Sequence, residues 1–153
     1  MRGAKGDFKA IMAKQNGVTS DHIAVGFGSG EILKKAALMN GVDKGELVSP
    51  SLTFETINRY AKTMQSNVKR IPMDDNIGIN LDRMASAVSQ KTKLVYLCNP
   101  NNPTGQLMDS DDLESFCSEI SKKATVFVDE AYHEYVMDPN YRSMIGLVKE
   151  GKN

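Results

Sequence analysis

Three polar clusters follow short apolar runs, and their residue types are those of a binding site. The first is Asn99-Pro100-Asn101-Asn102-Pro103-Thr104-Gly105, directly after Leu94-Val95-Tyr96-Leu97-Cys98. Two prolines and a glycine stiffen such a loop, and three asparagines give it both donors and acceptors. The second is Asp129-Glu130-Ala131-Tyr132, after Val126-Phe127-Val128. Parallel α/β sheets hold their ligands at the carboxyl ends of strands, so an amide, a carboxylate and a phenol placed there can act together. The third, Gly26-Phe27-Gly28-Ser29-Gly30-Glu31, follows Ile23-Ala24-Val25 and opens a helical pattern. Glycines let backbone approach an anion, and the free N–H groups of a helix start attract phosphate. It is not a dinucleotide fingerprint, because Glu31 replaces the third glycine, and no Gly-Lys-Ser/Thr follows. Each cluster alone also has a plain structural reading: a glycine-rich turn, a local Asx turn, and a strand-end carboxylate.

The elements that must position these clusters alternate. Residues 7–16 carry Phe8, Ile11 and Met12 on one helical face, with Gly17 as the stop. Ile23-Ala24-Val25 reads as a short buried strand, and Ile32, Leu33, Ala36 and Met39 as the stripe of a helix ended by Gly41. Glu46-Leu47-Val48 is the next strand, broken by Pro50. Phe54, Ile57, Ala61 and Met64 mark a helix, 67–72 a strand, and Asn80 an N-cap before Leu81, Met84, Ala85 and Val88. Leu94–Cys98 and Ala124–Val128 are strands around a helix bearing Leu113, Phe116, Cys117 and Ile120. Strands alternating with helices of this length predict an α/β fold: a three-layer α/β/α arrangement around a mostly parallel sheet, with Val25, Val48, Val95 and Val126 in its strands. The alternation stops at Gly151-Lys152-Asn153, where a further strand is expected, so the chain reads as cut in mid-domain.

Bulk properties narrow the function. The 153 residues include 19 basic and 19 acidic side chains, so no electrostatic case exists for nucleic acid or a membrane surface. No apolar run approaches the ~20 residues of a membrane span, and the first residues contain no apolar leader run. Cys98 and Cys117 fit no metal spacing and lie in apolar stretches, as free thiols do in a reducing cytoplasm. No Ser/His/Asp order or zinc spacing supports a hydrolase or a metal site. His22 and His133 read as surface or supporting imidazoles.

The run Asn99–Gly105 together with Asp-Glu-Ala-Tyr at 129–132 resembles the fold-type-I pyridoxal 5'-phosphate (PLP) aminotransferases of class I/II, nearest to the histidinol-phosphate aminotransferase branch. The resemblance covers about residues 7–150. It implies PLP as cofactor, with Ser29 and Gly30 contacting its phosphate, Asn102 and Tyr132 its phenolic oxygen, and Asp129 its pyridine nitrogen. Phe54, in Pro50-Ser51-Leu52-Thr53-Phe54, stands where the family carries a Tyr that stacks on the ring; as Phe it keeps the stacking surface, and it reads equally well as core. The implied reaction transfers an amino group between an amino acid, or a histidinol-phosphate-like amine, and a 2-oxo acid, in a cytoplasmic homodimer.

The family's Schiff-base lysine, in a Ser-Lys motif one strand beyond Asp-Glu-Ala-Tyr, has no counterpart among the lysines here. Residues 1–153 are therefore expected to be a partial PLP-binding large domain, inactive by itself. Two alternatives share the motifs: a lyase or decarboxylase of the same fold, such as a threonine-phosphate decarboxylase, and a non-catalytic PLP-fold binding module.

Overall fold

A computed structural model describes residues 3–41 and 44–151; the expectation about the last residues falls partly outside these. The elements are α1 (Gly3–Asn16), α2 (Ser29–Gly41), β1 (Glu46–Pro50), α3 (Thr56–Thr63), β2 (Asn67–Ile71), α4 (Leu81–Ala87), β3 (Thr92–Cys98), α5 (Ser110–Ile120), β4 (Thr125–Asp129) and α6 (Ile145–Lys149). Short 3₁₀ turns occupy Ser20–His22 and His133–Tyr135. The strands form one parallel sheet in the order β2-β1-β3-β4.

Period-2 alternation divides the strand side chains between two faces. Val48, Val95 and Leu97 face a core built with Met84 of α4, Leu113, Phe116, Cys117 and Ile120 of α5, and Leu147 of α6. Leu47, Leu94, Tyr96 and Cys98 face the other way, onto Leu33 and Ala37 of α2 and Ile57 and Ala61 of α3. Both faces are thus covered, which is why the strands read as continuous apolar runs. The three-layer arrangement follows from this.

Local signals hold where the chain can satisfy them. Asn80 caps α4, its Oδ1 accepting from Arg83 N at 2.8 Å. Asp109 caps α5 by accepting from the backbone N–H groups of Asp111 and Asp112 at 2.8 and 3.1 Å. Gly17 ends α1 with φ +65°, the left-handed conformation that glycine adopts without penalty. Both cysteines are free and buried. Burial, helped by the charge of Glu130, pushes the Cys117 thiol up to about 12, so it stays protonated.

Two expectations fail. Ile23-Ala24-Val25 forms no strand, and Val25 is 44% exposed. An apolar tripeptide becomes a strand only beside a neighbour that completes its hydrogen-bond ladder, and among the described residues neither β2 nor β4 supplies one. The apolar face of α1 is also uncovered: Phe8 and Ile11 are exposed and Ala13 is buried instead. α1 meets chiefly the Ser20–His22 turn, which is too small to cover a helix face. Pro50 does not interrupt β1 but closes it, paired with Ile71.

Candidate active site

The carboxyl ends of β1, β3 and β4 lie side by side, because the strands are parallel and adjacent. Each leads into one of the polar segments. The loop after β3 is organised from within. Asn99 is fully buried; its Oδ1 accepts from Met108 N at 2.9 Å, and its backbone N–H donates to the carbonyl of Asp129 at 2.9 Å. Asn101, also buried, donates through Nδ2 to Leu52 O at 3.0 Å and Thr104 Oγ1 at 2.9 Å, while its Oδ1 accepts from Thr53 Oγ1 at 2.8 Å. It therefore ties the β3 loop to the β1 loop. Gly105, at φ +70°, donates its N–H back to Asn101 O at 2.7 Å and closes the turn.

Two of the three asparagines are thus used up in holding the loop. Asn102 is left half-buried, and its Nδ2 meets the hydroxyl of Tyr132 at 3.1 Å. Two groups that can both donate therefore sit close enough to share one acceptor oxygen. A cavity of about 550 Å³ opens beside them, lined also by Leu107, Tyr135 and Met137.

Asp129 ends β4, level with Cys98 of β3, and is only 7% exposed. Its Oδ2 accepts from the Tyr96 hydroxyl at 3.1 Å and its Oδ1 from Ala131 N at 3.2 Å. Tyr96 has no exposed surface. Burial first, and then the neighbouring Asp129 charge, push its phenol well above the usual tyrosine range, so it remains a neutral donor. With one bond to each oxygen, the carboxylate keeps lone pairs for a further donor.

Phe54 is half-buried, packed against the core face that carries α2 and α3. Its loop is pinned by Arg70 of β2, which donates to Pro50 O at 3.1 Å and to Glu55 Oε2 at 2.9 Å. Ser29 and Gly30 open α2. The other end of that helix, at Ala37 and Asn40, sits with Glu46, Leu47 and Leu94 at the amino end of the sheet. α2 therefore runs against the strands, and its first turn points toward their carboxyl ends. Gly28 needs its φ of +74°, whereas a Cβ at Gly30 would meet nothing within 4 Å, which leaves room for a ligand. Glu31 accepts from Phe27 N at 2.7 Å and pairs with Lys35 at 2.7 Å. Among the described residues no hydrogen bond joins Ser29, Gly30 or Phe54 to the Asn102–Tyr132 pair, and these three residues and Asp129 lie outside the cavity beside that pair. His133 is exposed, its Nδ1 2.8 Å from Glu130 O.

The sequence profile of the family "Aminotransferase class I and II" matches residues 7–153. The chain belongs to this family. Among the family's relatives, the histidinol-phosphate aminotransferase of Brevibacillus brevis is 32% identical over 154 residues, which cover 99% of this chain and 41% of the relative. A solved structure from Erwinia carotovora atroseptica, named there only provisionally as a histidinol-phosphate aminotransferase, superposes with a TM-score of 0.87 at 30% identity, covering 95% of this chain and 42% of that one. The histidinol-phosphate aminotransferase of Sinorhizobium meliloti, solved in complex with pyridoxal 5'-phosphate, gives 0.76 at 25% identity, covering 84% and 35%. The chain spans about two fifths of the length of the curated relatives it matches.

Three residues of this aminotransferase-family chain that position the site escape a reading by motif: Tyr96, Asn101 and Arg70. Tyr96 leaves one trace, as the lone hydroxyl in the apolar run Leu94–Cys98. Asn101 stands inside the motif but cannot be told from Asn102 without the fold. Arg70 leaves no signal, because its partners are backbone carbonyls and a glutamate on another segment.

Proposed function

We propose that this chain supplies the cofactor-ring and phosphate contacts of a PLP-dependent aminotransferase. The observation that carries the reading is the pairing of complementary chemistry at two neighbouring strand ends. Asn102 and Tyr132 present two donors 3.1 Å apart, and the buried Asp129 carboxylate ends the adjacent strand with acceptor capacity to spare. A pyridine ring carrying a phenolic oxygen and a ring N–H needs both. When bound, PLP supplies an electron sink for the substrate's α-carbon. Asp129 would accept the ring N–H and favour its protonated form. Asn102 and Tyr132 would donate to the phenolic oxygen and stabilise its negative charge. Phe54 offers a ring face for stacking, and the free N–H groups at Ser29 and Gly30 suit a phosphate. The family's anchoring lysine, which would also move the α-proton, has no counterpart among the lysines of this chain, and this reading makes the chain alone inactive in transfer.

The substrates are an amino acid, or a histidinol-phosphate-like amine, and a 2-oxo acid; the 32% identity to a histidinol-phosphate aminotransferase supports the phosphorylated amine. The working assembly is a homodimer, and two buried free thiols suit a reducing cytoplasm. The test is to supply the full polypeptide carrying this sequence with PLP, histidinol phosphate or single amino acids, and 2-oxoglutarate, and to follow glutamate. PLP-dependent glutamate formation is expected. Release of carbon dioxide from an amino acid without glutamate would overturn transfer in favour of decarboxylation, and binding of PLP with no turnover of any donor would favour a binding module.

A further inference from the structure

We infer that Tyr96 is a positioning residue that fixes the Asp129 carboxylate toward its ligand. The inference rests on the reading of Asp129 as the partner of the pyridine nitrogen and adds a residue to it. Tyr96 lies mid-strand in β3, opposite Phe127 of β4, with the two rings 6.1 Å apart between centroids and tilted by 39°. The ring is clamped in the core face shared with Leu33 and Leu94, so its hydroxyl has one direction available. That direction ends on Asp129 Oδ2 at 3.1 Å. Ala131 N holds Oδ1 from the other side. A carboxylate turns about its last bond at little cost; two donors from two different segments stop that turn and leave the remaining lone pairs facing a set direction.

A phenol is an expensive group to bury for packing alone, because its hydroxyl then needs a partner. Phe would fill the same core volume. The hydroxyl is therefore explained by Asp129, and not by the core. A neutral donor also stabilises the ionised carboxylate without cancelling its charge, so the attraction for a ring N–H⁺ survives. The titratable groups that act with Asp129 among the described residues are Tyr96 and Cys98 of β3; burial keeps both protonated near neutral pH. Neither competes with the ligand for the carboxylate.

The experiment uses the apo form of the full polypeptide and 4'-deoxypyridoxine 5'-phosphate. This ring ligand lacks the aldehyde, so its binding reports the ring contacts without any lysine chemistry. Affinity and melting temperature are measured for wild type, Tyr96→Phe, Asp129→Asn and the double variant. Tyr96→Phe is expected to bind about tenfold more weakly, the loss typical of a hydrogen bond to a charged group. In the Asp129→Asn background the second change should cost less than twofold, since the group it positions is gone. Tyr96→Phe binding within twofold of wild type, beside a weakened Asp129→Asn, would overturn the positioning role and leave the Asp129 assignment standing. Multiplying losses in the double variant would show a packing role and also overturn it. Wild-type affinity in Asp129→Asn would remove the ring contact itself, and this role with it. Should Tyr96→Phe not fold, site-specific 3-fluorotyrosine keeps the shape and strengthens the donor. Its ring-ligand affinity should differ from wild type at an unchanged melting temperature, and an unchanged affinity would overturn the inference.

Discussion

The two ends of the sheet each bury one carboxylate, and they treat it in opposite ways. At the amino end Glu46 opens β1 and is 5% exposed. Its Oε1 accepts from Lys69 Nζ at 2.9 Å, Thr92 Oγ1 at 2.8 Å and Ser89 Oγ at 3.2 Å, and its Oε2 from Asn67 Nδ2 at 3.1 Å. Burial works against the charge, but Lys69, Thr92 and Ser89 outweigh it and hold the carboxyl below the usual glutamate range. At the carboxyl end the Asp129 carboxylate has two donors and no cation among the described residues. Nearby, Asn102 is half-buried, and the Nδ2 of fully buried Asn99 has no partner among the described residues. A buried carboxylate saturated by its own fold is part of the structure; one left with spare capacity, at the end where α/β sheets bind ligands, is ready for something else.

Removing each carboxylate should separate the two roles. In the full polypeptide Asp129→Ala is expected to lower transfer on the order of 10²–10³-fold, the scale of losing a preorganised electrostatic contact. Its stability should fall less than that of Glu46→Ala, since only the Tyr96 hydroxyl and the Ala131 N–H lose an acceptor while the cost of burying the charge is recovered. Steady-state rates and calorimetry on the same preparation check both. Unchanged rates with lost stability would make Asp129 a structural residue like Glu46 and dissolve the contrast. Glu46→Ala should do the reverse: stability falls by about 2 kcal/mol, because Thr92, Asn67 and Lys69 lose their acceptor, while ligand affinity of the folded protein stays the same. The pH dependence follows from the depressed carboxyl. Glu46 is ionised in both states at neutral pH and contributes fully there. As pH falls below about 4.5 the unfolded chain takes up the proton first, and the contribution is lost as pH drops through the lower folded value. Thermal melts between pH 3 and 7 should show that loss in wild type and a flatter profile in Glu46→Ala.

The layered fold was legible because strands buried on both faces and helices with one apolar stripe leave strong periodic signals. Leu113, Phe116, Cys117 and Ile120 recur at helical spacing and all are buried. Ile23–Val25 misled because three apolar residues carry no record of whether a partner strand exists. The polar strand ends were legible as motifs, but the division of labour within them was not. Asn99, Asn101 and Asn102 are one residue type in one loop, and only the approach of Thr53 and Leu52 from the loop after β1, 48 and 49 residues away, makes Asn101 a tie. Long-range hydrogen bonds of this kind, like Tyr96 to Asp129 across 33 residues, leave no local pattern.

That division gives the smallest and sharpest test, because it sets two adjacent asparagines against each other. Asn101 is buried and holds three hydrogen bonds between two loops. Asn101→Ala orphans the Thr53 hydroxyl and the Leu52 carbonyl and should cost about 1–2 kcal/mol of stability, with affinity changed only through loosening of the loop. Asn102 touches just the exposed Tyr132 hydroxyl. Asn102→Ala should leave stability within about 0.5 kcal/mol, yet weaken 4'-deoxypyridoxine 5'-phosphate binding roughly tenfold by deleting one of the two donors proposed for the phenolic oxygen. Denaturant melts and a ligand titration on the two variants suffice. If Asn102→Ala destabilised the protein and left binding intact, the loop would be a turn throughout. The contrast between a closed amino end and an open carboxyl end would then rest on Asp129 alone.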